Sequence, residues 1–311
     1  MTEKQIVVSQ EYTRSKFKKL GFALILYSLI VLYLPLFLEK ILEKFKPEIL
    51  ENLNLYIGIY YIIVLFGTIV PFLIISKTFD TKFSDFFRKT NISFSDTRIE
   101  FLVFFTISSI SIFIANGIAN VLGVSMNLVF NVGAVASNTH FDNFLFAYMY
   151  IIACPILEEI AFRGCLLKSL ARFGKKFAII VSAIFYALAH GEFIEMIPAI
   201  IMGYLLGKIE TKYHSVQPCI IMRILFNILI FILYLVPDSF SFIVSIIFVF
   251  VYLYTLFYSV RKKYTFVAIK SAQSILPTLK VLLTTPEIII AILLVIGNSV
   301  LTEVFIVQGL L

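Results

Sequence analysis

The sequence predicts an all-α membrane protein that crosses the bilayer about eight times. Three observations predict it. Hydrophobic residues make up 60% of the chain and charged residues only 14%, with a mean hydropathy of +0.98. A soluble domain has nowhere to bury that much apolar surface. The apolar residues are gathered into runs that approach the roughly 20 residues a spanning helix needs. The Lys and Arg residues lie between those runs and alternate from one side to the other.

Read in order, the uncharged runs fall at residues 20–38, 55–75, 101–122, 144–157, 177–189, 193–206, 218–236 and 240–258. A ninth, 288–311, is broken by Glu303 and is a candidate extra crossing after a basic connection that begins near residue 260. The fourth to sixth runs are short, which implies tilt or helix ends buried in protein rather than lipid. The whole of 1–311 reads as one polytopic domain. The first run is too long for a signal-peptide core and no small-residue cleavage site follows it, so it is expected to stay in the mature chain.

The charges set the orientation. Lys4, Arg14, Lys16, Lys18 and Lys19 precede the first run, and Lys77, Lys82, Arg88, Lys89 and Arg98 follow the second. Arg163, Lys168, Arg172, Lys175 and Lys176 follow the fourth, Lys208 and Lys212 the sixth, and Arg261, Lys262 and Lys263 the eighth. Residues 123–143 and the stretches around Gly191 and Asp238 carry neither Lys nor Arg. The N-terminus is therefore expected in the cytoplasm of a cell membrane. Lys40, Lys44 and Lys46 fall on the wrong side, interleaved with Glu39, Glu43, Glu48 and Glu51. This distribution also accounts for the net charge of +7 without nucleic acid as a partner. The Ile, Lys and Phe richness suggests a bacterial plasma membrane. Cys154, Cys165 and Cys219 show no paired spacing and read as small core residues.

Ionisable side chains at membrane depth are costly and mark functional sites. Glu158 and Glu159 stand together at the end of the fourth run, with Arg163 four residues after Glu159. That spacing favours a Glu159–Arg163 ion pair and turns Glu158 about 100° away. One neutralised and one free carboxylate can do different jobs. The plainer account is a charged cytoplasmic helix end with snorkelling side chains. In the fifth run Tyr186 and His190 share a helical face, and in the seventh Arg223 and Asn227 do. A membrane histidine is more often a packing residue than a catalyst. A buried Arg223 needs an anion, and a carboxylate of the fourth run is the obvious one.

Together these elements resemble the CAAX protease and bacteriocin-processing family, also called CPBP or Abi, which includes the Ras-converting CAAX endoprotease. The resemblance covers 144–236. The family's Glu-Glu-x-x-x-Arg motif followed by Gly is matched by Glu158, Glu159, Arg163 and Gly164. Its Phe-x-x-x-His motif is matched with Tyr186 at the aromatic position and His190 retained. Its His-x-x-x-Asn/Asp motif reads Arg223-Ile-Leu-Phe-Asn227, a departure that matters because a guanidinium cannot act as a base.

The resemblance implies an intramembrane endopeptidase with its active site in the core of the helix bundle, acting near the cytoplasmic face on a peptide or membrane-tethered protein. Glu158 and His190 would activate the water, Asn227 with Arg223 or a backbone N–H would hold the oxyanion, and Glu159, Arg163 and Tyr186 would support them. No cofactor is expected. Zinc is the rival chemistry, since two Glu and a His could ligate it; the His-Glu-x-x-His spacing is absent, and a metal-free glutamate mechanism is expected instead. Arg223 keeps open an alternative, a non-catalytic scaffold or bacteriocin self-immunity protein. A transporter would find support only in polytopy and buried charge, and the sequence shows no internal repeat.

Overall fold

The computed structural model describes residues 10–88, 94–122, 147–261 and 275–307. Among the described residues regular structure is helical, and the single extended contact is an isolated bridge between Phe87 and Ser215. Helix α1 (Gln10–Tyr27) continues through a widened π turn, Ser28–Tyr33, into α2 (Leu34–Phe45). After α3 (Pro47–Glu51) comes α4 (Leu53–Thr78), opened by Asn52, whose side chain accepts the Leu55 N–H at 3.2 Å. Helix α5 (Phe94–Leu122) follows. A second π turn, Met149–Ala153, leads into α6 (Cys154–Glu159), a third π segment, Ile160–Leu167, and α7 (Lys168–Leu170) without interruption. The remaining helices are α8 (Lys175–Leu188), α9 (Phe193–Tyr213), α10 (Gln217–Leu235), α11 (Ser241–Arg261), α12 (Leu276–Leu283) and α13 (Pro286–Val307).

The first two π turns share a cause. Each is followed within two residues by a proline, Pro35 and Pro155. A proline inside a helix lacks the N–H and crowds the carbonyl four residues back. That carbonyl belongs to Val31 or Ile151, both inside the widened turn, so the extra residue per turn makes room where the clash would fall.

Four helices are long and apolar enough to cross a membrane, Glu11–Phe45, Leu55–Thr78, Thr97–Leu122 and Phe242–Arg261, and the α12–α13 pair, bent by 71°, makes a fifth if it counts as one span. These correspond to the first, second, third, eighth and ninth apolar runs of the sequence. The chain is thus a helical membrane protein. The other expected crossings are helical but of a different character. Helix α8 has 14 residues, about 21 Å at 1.5 Å per residue, and cannot alone cover a hydrocarbon core of about 30 Å. Helix α9 holds Glu195, Lys208, Glu210 and Lys212, and α10 contributes a shorter apolar stretch, Gln217–Ile232. The fourth run does not end at 157: the helix carries on through the charged motif to Leu170. Helix α12 lies where the sequence suggested only a basic connection. The tract 123–143 and the chain beyond 307 lie outside the described residues.

Helices α8 and α9 pack closely because α9 presents Gly203 and Gly207 four residues apart. A Cβ at Gly203 would lie 3.0 Å from the Ala183 Cα, and one at Gly207 3.1 Å from the Leu167 Cδ1. Small residues at that spacing let backbones approach in a bundle where van der Waals contact is the main attraction. Outward, Phe113, Phe242 and Phe250 are exposed, as suits a lipid-facing surface.

Basic side chains tie one end of the bundle together. Lys16 donates to the Thr78 carbonyl and Arg172 to the Phe79 carbonyl, where the C-terminus of α4 leaves carbonyls unsatisfied and carries partial negative charge. Lys168 donates to the Asp85 carbonyl at 2.7 Å and pairs with Glu210 at 2.8 Å. All three cations come from segments whose charge pattern put them on the cytoplasmic side.

Candidate active site

The charged motif lies inside the bundle. Glu159 is fully buried and Arg163 is 1% exposed, so neither is a snorkelling helix-end residue. Their ion pair, Arg163 Nη1 to Glu159 Oε1, is 2.8 Å long, four residues apart as the spacing predicts. The π segment Ile160–Leu167 that carries Arg163 is a wide turn of the kind found at functional sites. Gly164 sits in it because a Cβ there would come within 2.9 Å of the Phe86 ring.

Glu158 points elsewhere. Its Oε2 accepts the Tyr186 hydroxyl at 3.0 Å and an Arg223 Nη2–H at 2.8 Å. With two donors on one oxygen, Oε1 is left for other chemistry. The side chain is 30% exposed where that of Glu159 is 0%. Adjacent in sequence, the two carboxylates therefore differ in access: one is sealed in protein and the other opens into a cavity.

Tyr186 is the hub. Its hydroxyl binds Glu158, its ring lies under the Arg163 guanidinium at 4.2 Å and near that of Arg223 at 5.9 Å, and its carbonyl meets Nδ1 of His190 at 2.9 Å. The His190 ring packs edge-on against the Tyr186 ring at 4.8 Å between centroids. A phenylalanine at this position could stack with the cations but could not donate to Glu158. The hydroxyl is thus a feature of this chain that the motif comparison leaves out.

Arg223 bridges the carboxylates, with Nη2 on Glu158 and Nε 3.9 Å from Glu159 Oε1. The carboxylate partner expected from the fourth run is present. Asn227, one helical turn further along α10, donates Nδ2–H to the Tyr150 carbonyl at 2.9 Å, and its Oδ1 is buried without a partner among the described residues. That orientation commits one amide hydrogen to the backbone, leaving the other hydrogen and the oxygen to the site.

Glu158, His190, Arg223 and Asn227 line one cavity of about 250 Å³, together with Tyr150, Glu195, Met202 and Phe226. Its walls come from α5, the π turn Met149–Ala153, α6, α8–α9 and α10, so residues 65 positions apart (Glu158 and Arg223) meet across it. Sequence reasoning missed Glu195 and Tyr150. Glu195 was within reach, being an ionisable residue inside the sixth apolar run; Tyr150 carried no distinguishing signal. Among the described residues no three His, Cys, Asp or Glu side chains are grouped so as to hold a metal ion.

Residues 140–229 match the family model described as Type II CAAX prenyl endopeptidase Rce1-like. That stretch, less than a third of the chain, is similar to a CAAX-protease domain. The matched stretch includes Glu158, Glu159, Arg163, Tyr186, His190, Arg223 and Asn227, and it largely coincides with the 144–236 core marked out by the three motifs. The matched stretch thus supplies most of the cavity wall, while Ile112 comes from outside it. No curated protein and no solved structure matches the chain.

Proposed function

We propose that the chain is a metal-independent intramembrane endopeptidase that cleaves a peptide or membrane-tethered protein near the cytoplasmic face. The observation that carries this is the meeting of Glu158, His190, Arg223 and Asn227 around one cavity within a CAAX-protease-type domain. Glu158 Oε1, aided by His190, takes a proton from water as the oxygen attacks the peptide carbonyl. Arg223 and the remaining Asn227 N–H stabilise the tetrahedral oxyanion. The protonated Glu158 then gives its proton to the amine as the C–N bond breaks, which restores the carboxylate. Glu159 and Arg163 fix the helix that aims Glu158, and Tyr186 holds its second oxygen.

A second reading has its own support. Arg223 already spends a hydrogen bond on Glu158, and a carboxylate locked to a guanidinium is a weaker base. A non-catalytic scaffold or a bacteriocin self-immunity protein would tolerate that. The two readings part on Arg223→His, which frees Glu158 and introduces an imidazole. Mass spectrometry of cells lacking the chain should reveal a peptide that persists uncleaved. Restoring either the wild type or Arg223→His should shorten it, the variant at an equal or higher rate. No peptide differing between cells with and without the chain would favour the scaffold.

The domain would sit in a bacterial plasma membrane with the N-terminus inside and eight crossings, α8, α9 and α10 completing theirs within the shelter of the longer helices. Reporter fusions after Lys176 should read cytoplasmic and after Asp238 external. A cytoplasmic signal at Asp238 would remove the seventh crossing.

A further inference from the structure

The cavity contains one charged group that the proposed chemistry does not use. Glu195 lies in the first turn of α9 and lines the same cavity as Glu158 and His190. Glu158 and Glu159 are matched by Arg163 and Arg223 through ion pairs of 2.8 to 3.9 Å. Glu195 forms no ion pair among the described residues, and no lysine and no arginine besides Arg223 lines that cavity. Among the described residues the guanidiniums that surround the reacting centre thus leave one carboxyl group without a cation, at the edge of a wall otherwise made of Pro198, Ala199 and Met202.

The N-terminus of α9 offers a partial account of why a carboxylate is tolerated there, since the first turn of a helix favours an anion. It does not account for the placement of that anion in a cavity where a neutral polar residue would satisfy the same helix end. Tyr150, on the same cavity, presents an aromatic side chain, and a carboxylate with an aromatic neighbour suits a cation.

We propose that Glu195 is a specificity-determining residue that receives a lysine or arginine side chain of the substrate beside the bond to be cut. This rests on the protease reading. A cation arriving with the substrate offsets the cost of desolvating the carboxylate, and a neutral or acidic residue in its place would leave Glu195 unpaired as the cavity fills. The preference falls on substrate binding, because the residue touches the substrate away from the reacting atoms.

The test uses the full chain in lipid nanodiscs and N-acetylated apolar hexapeptide amides that carry Lys, norleucine or Glu at each position in turn. Binding is read as a thermal shift in the Glu158→Gln background, and cleavage by mass spectrometry with Glu158 intact. At one position the Lys peptide should bind and be cleaved about tenfold better than the norleucine peptide, a difference carried in KM with kcat little changed. Glu195→Gln should remove that preference, and Glu195→Lys should turn it toward the Glu peptide. Equal handling of Lys and norleucine peptides, the same preference in Glu195→Gln, or no binding of any peptide would overturn the assignment. A Glu195-dependent binding preference with no cleavage would keep Glu195 as the receptor of the cationic side chain and remove the protease reading. Cleavage without the preference would do the reverse.

Discussion

Glu158→Gln should cost about 10²–10⁴-fold in peptide cleavage, the range expected when a positioned general base is lost, while leaving the protein folded. The amide preserves the shape of the side chain. Its oxygen can still accept from Tyr186 and Arg223, the two donors now on Oε2, and Arg223 keeps Glu159 at 3.9 Å as an anion. What is lost is the ability to take a proton from water. His190→Ala should fall to a similar level, because the imidazole lines the same cavity and is held by the Tyr186 carbonyl and ring. The measurement is turnover of the accumulating peptide by purified protein, with thermal unfolding as the folding control. If both variants cleave at the wild-type rate, the water is not activated here; if the wild type does not cleave at all, the scaffold reading takes first place.

The membrane character and most helix positions were legible in the sequence because apolar runs of spanning length have few other uses. The ion pair of Glu159 with Arg163 and the carboxylate partner of Arg223 were legible for a different reason: a charge with no water nearby must find its opposite, and few opposites were available. What could not be read was how the site helices sit. The fourth run was expected to end at the motif, yet Arg163 is neutralised in place and the helix passes through, so a charged residue did not mark a boundary. Periodicity of 3.6 also gives no hint of π turns, which here follow from Pro35 and Pro155 two or more residues later. The role of the Tyr186 hydroxyl and the presence of Glu195 in the cavity depend on contacts between distant segments, which local spacing does not encode.

Glu159→Gln should instead destabilise the fold by about 3–5 kcal/mol, the cost of leaving a buried charge without its partner. Arg163 is 1% exposed, and among the described residues its only ion pair is with Glu159. A glutamine could accept one hydrogen bond from it but would supply no charge. The site has little slack to absorb that loss, since Glu159 Oε2 and Arg163 Nη2 already lack hydrogen-bond partners among the described residues and the Tyr186 ring at 4.2 Å offers Arg163 only a quadrupole. Activity should therefore fall with the amount of folded protein, which separates this variant from Glu158→Gln, whose folded fraction is kept. Removing both charges, in Glu159→Gln/Arg163→Met, should recover a large part of the stability, because replacing a buried pair costs less than breaking one. Thermal unfolding of the three variants in nanodiscs measures this. A Glu159→Gln protein as stable as the wild type would mean that Arg223, 3.9 Å from the same carboxylate, and not Arg163, is the cation that Glu159 serves.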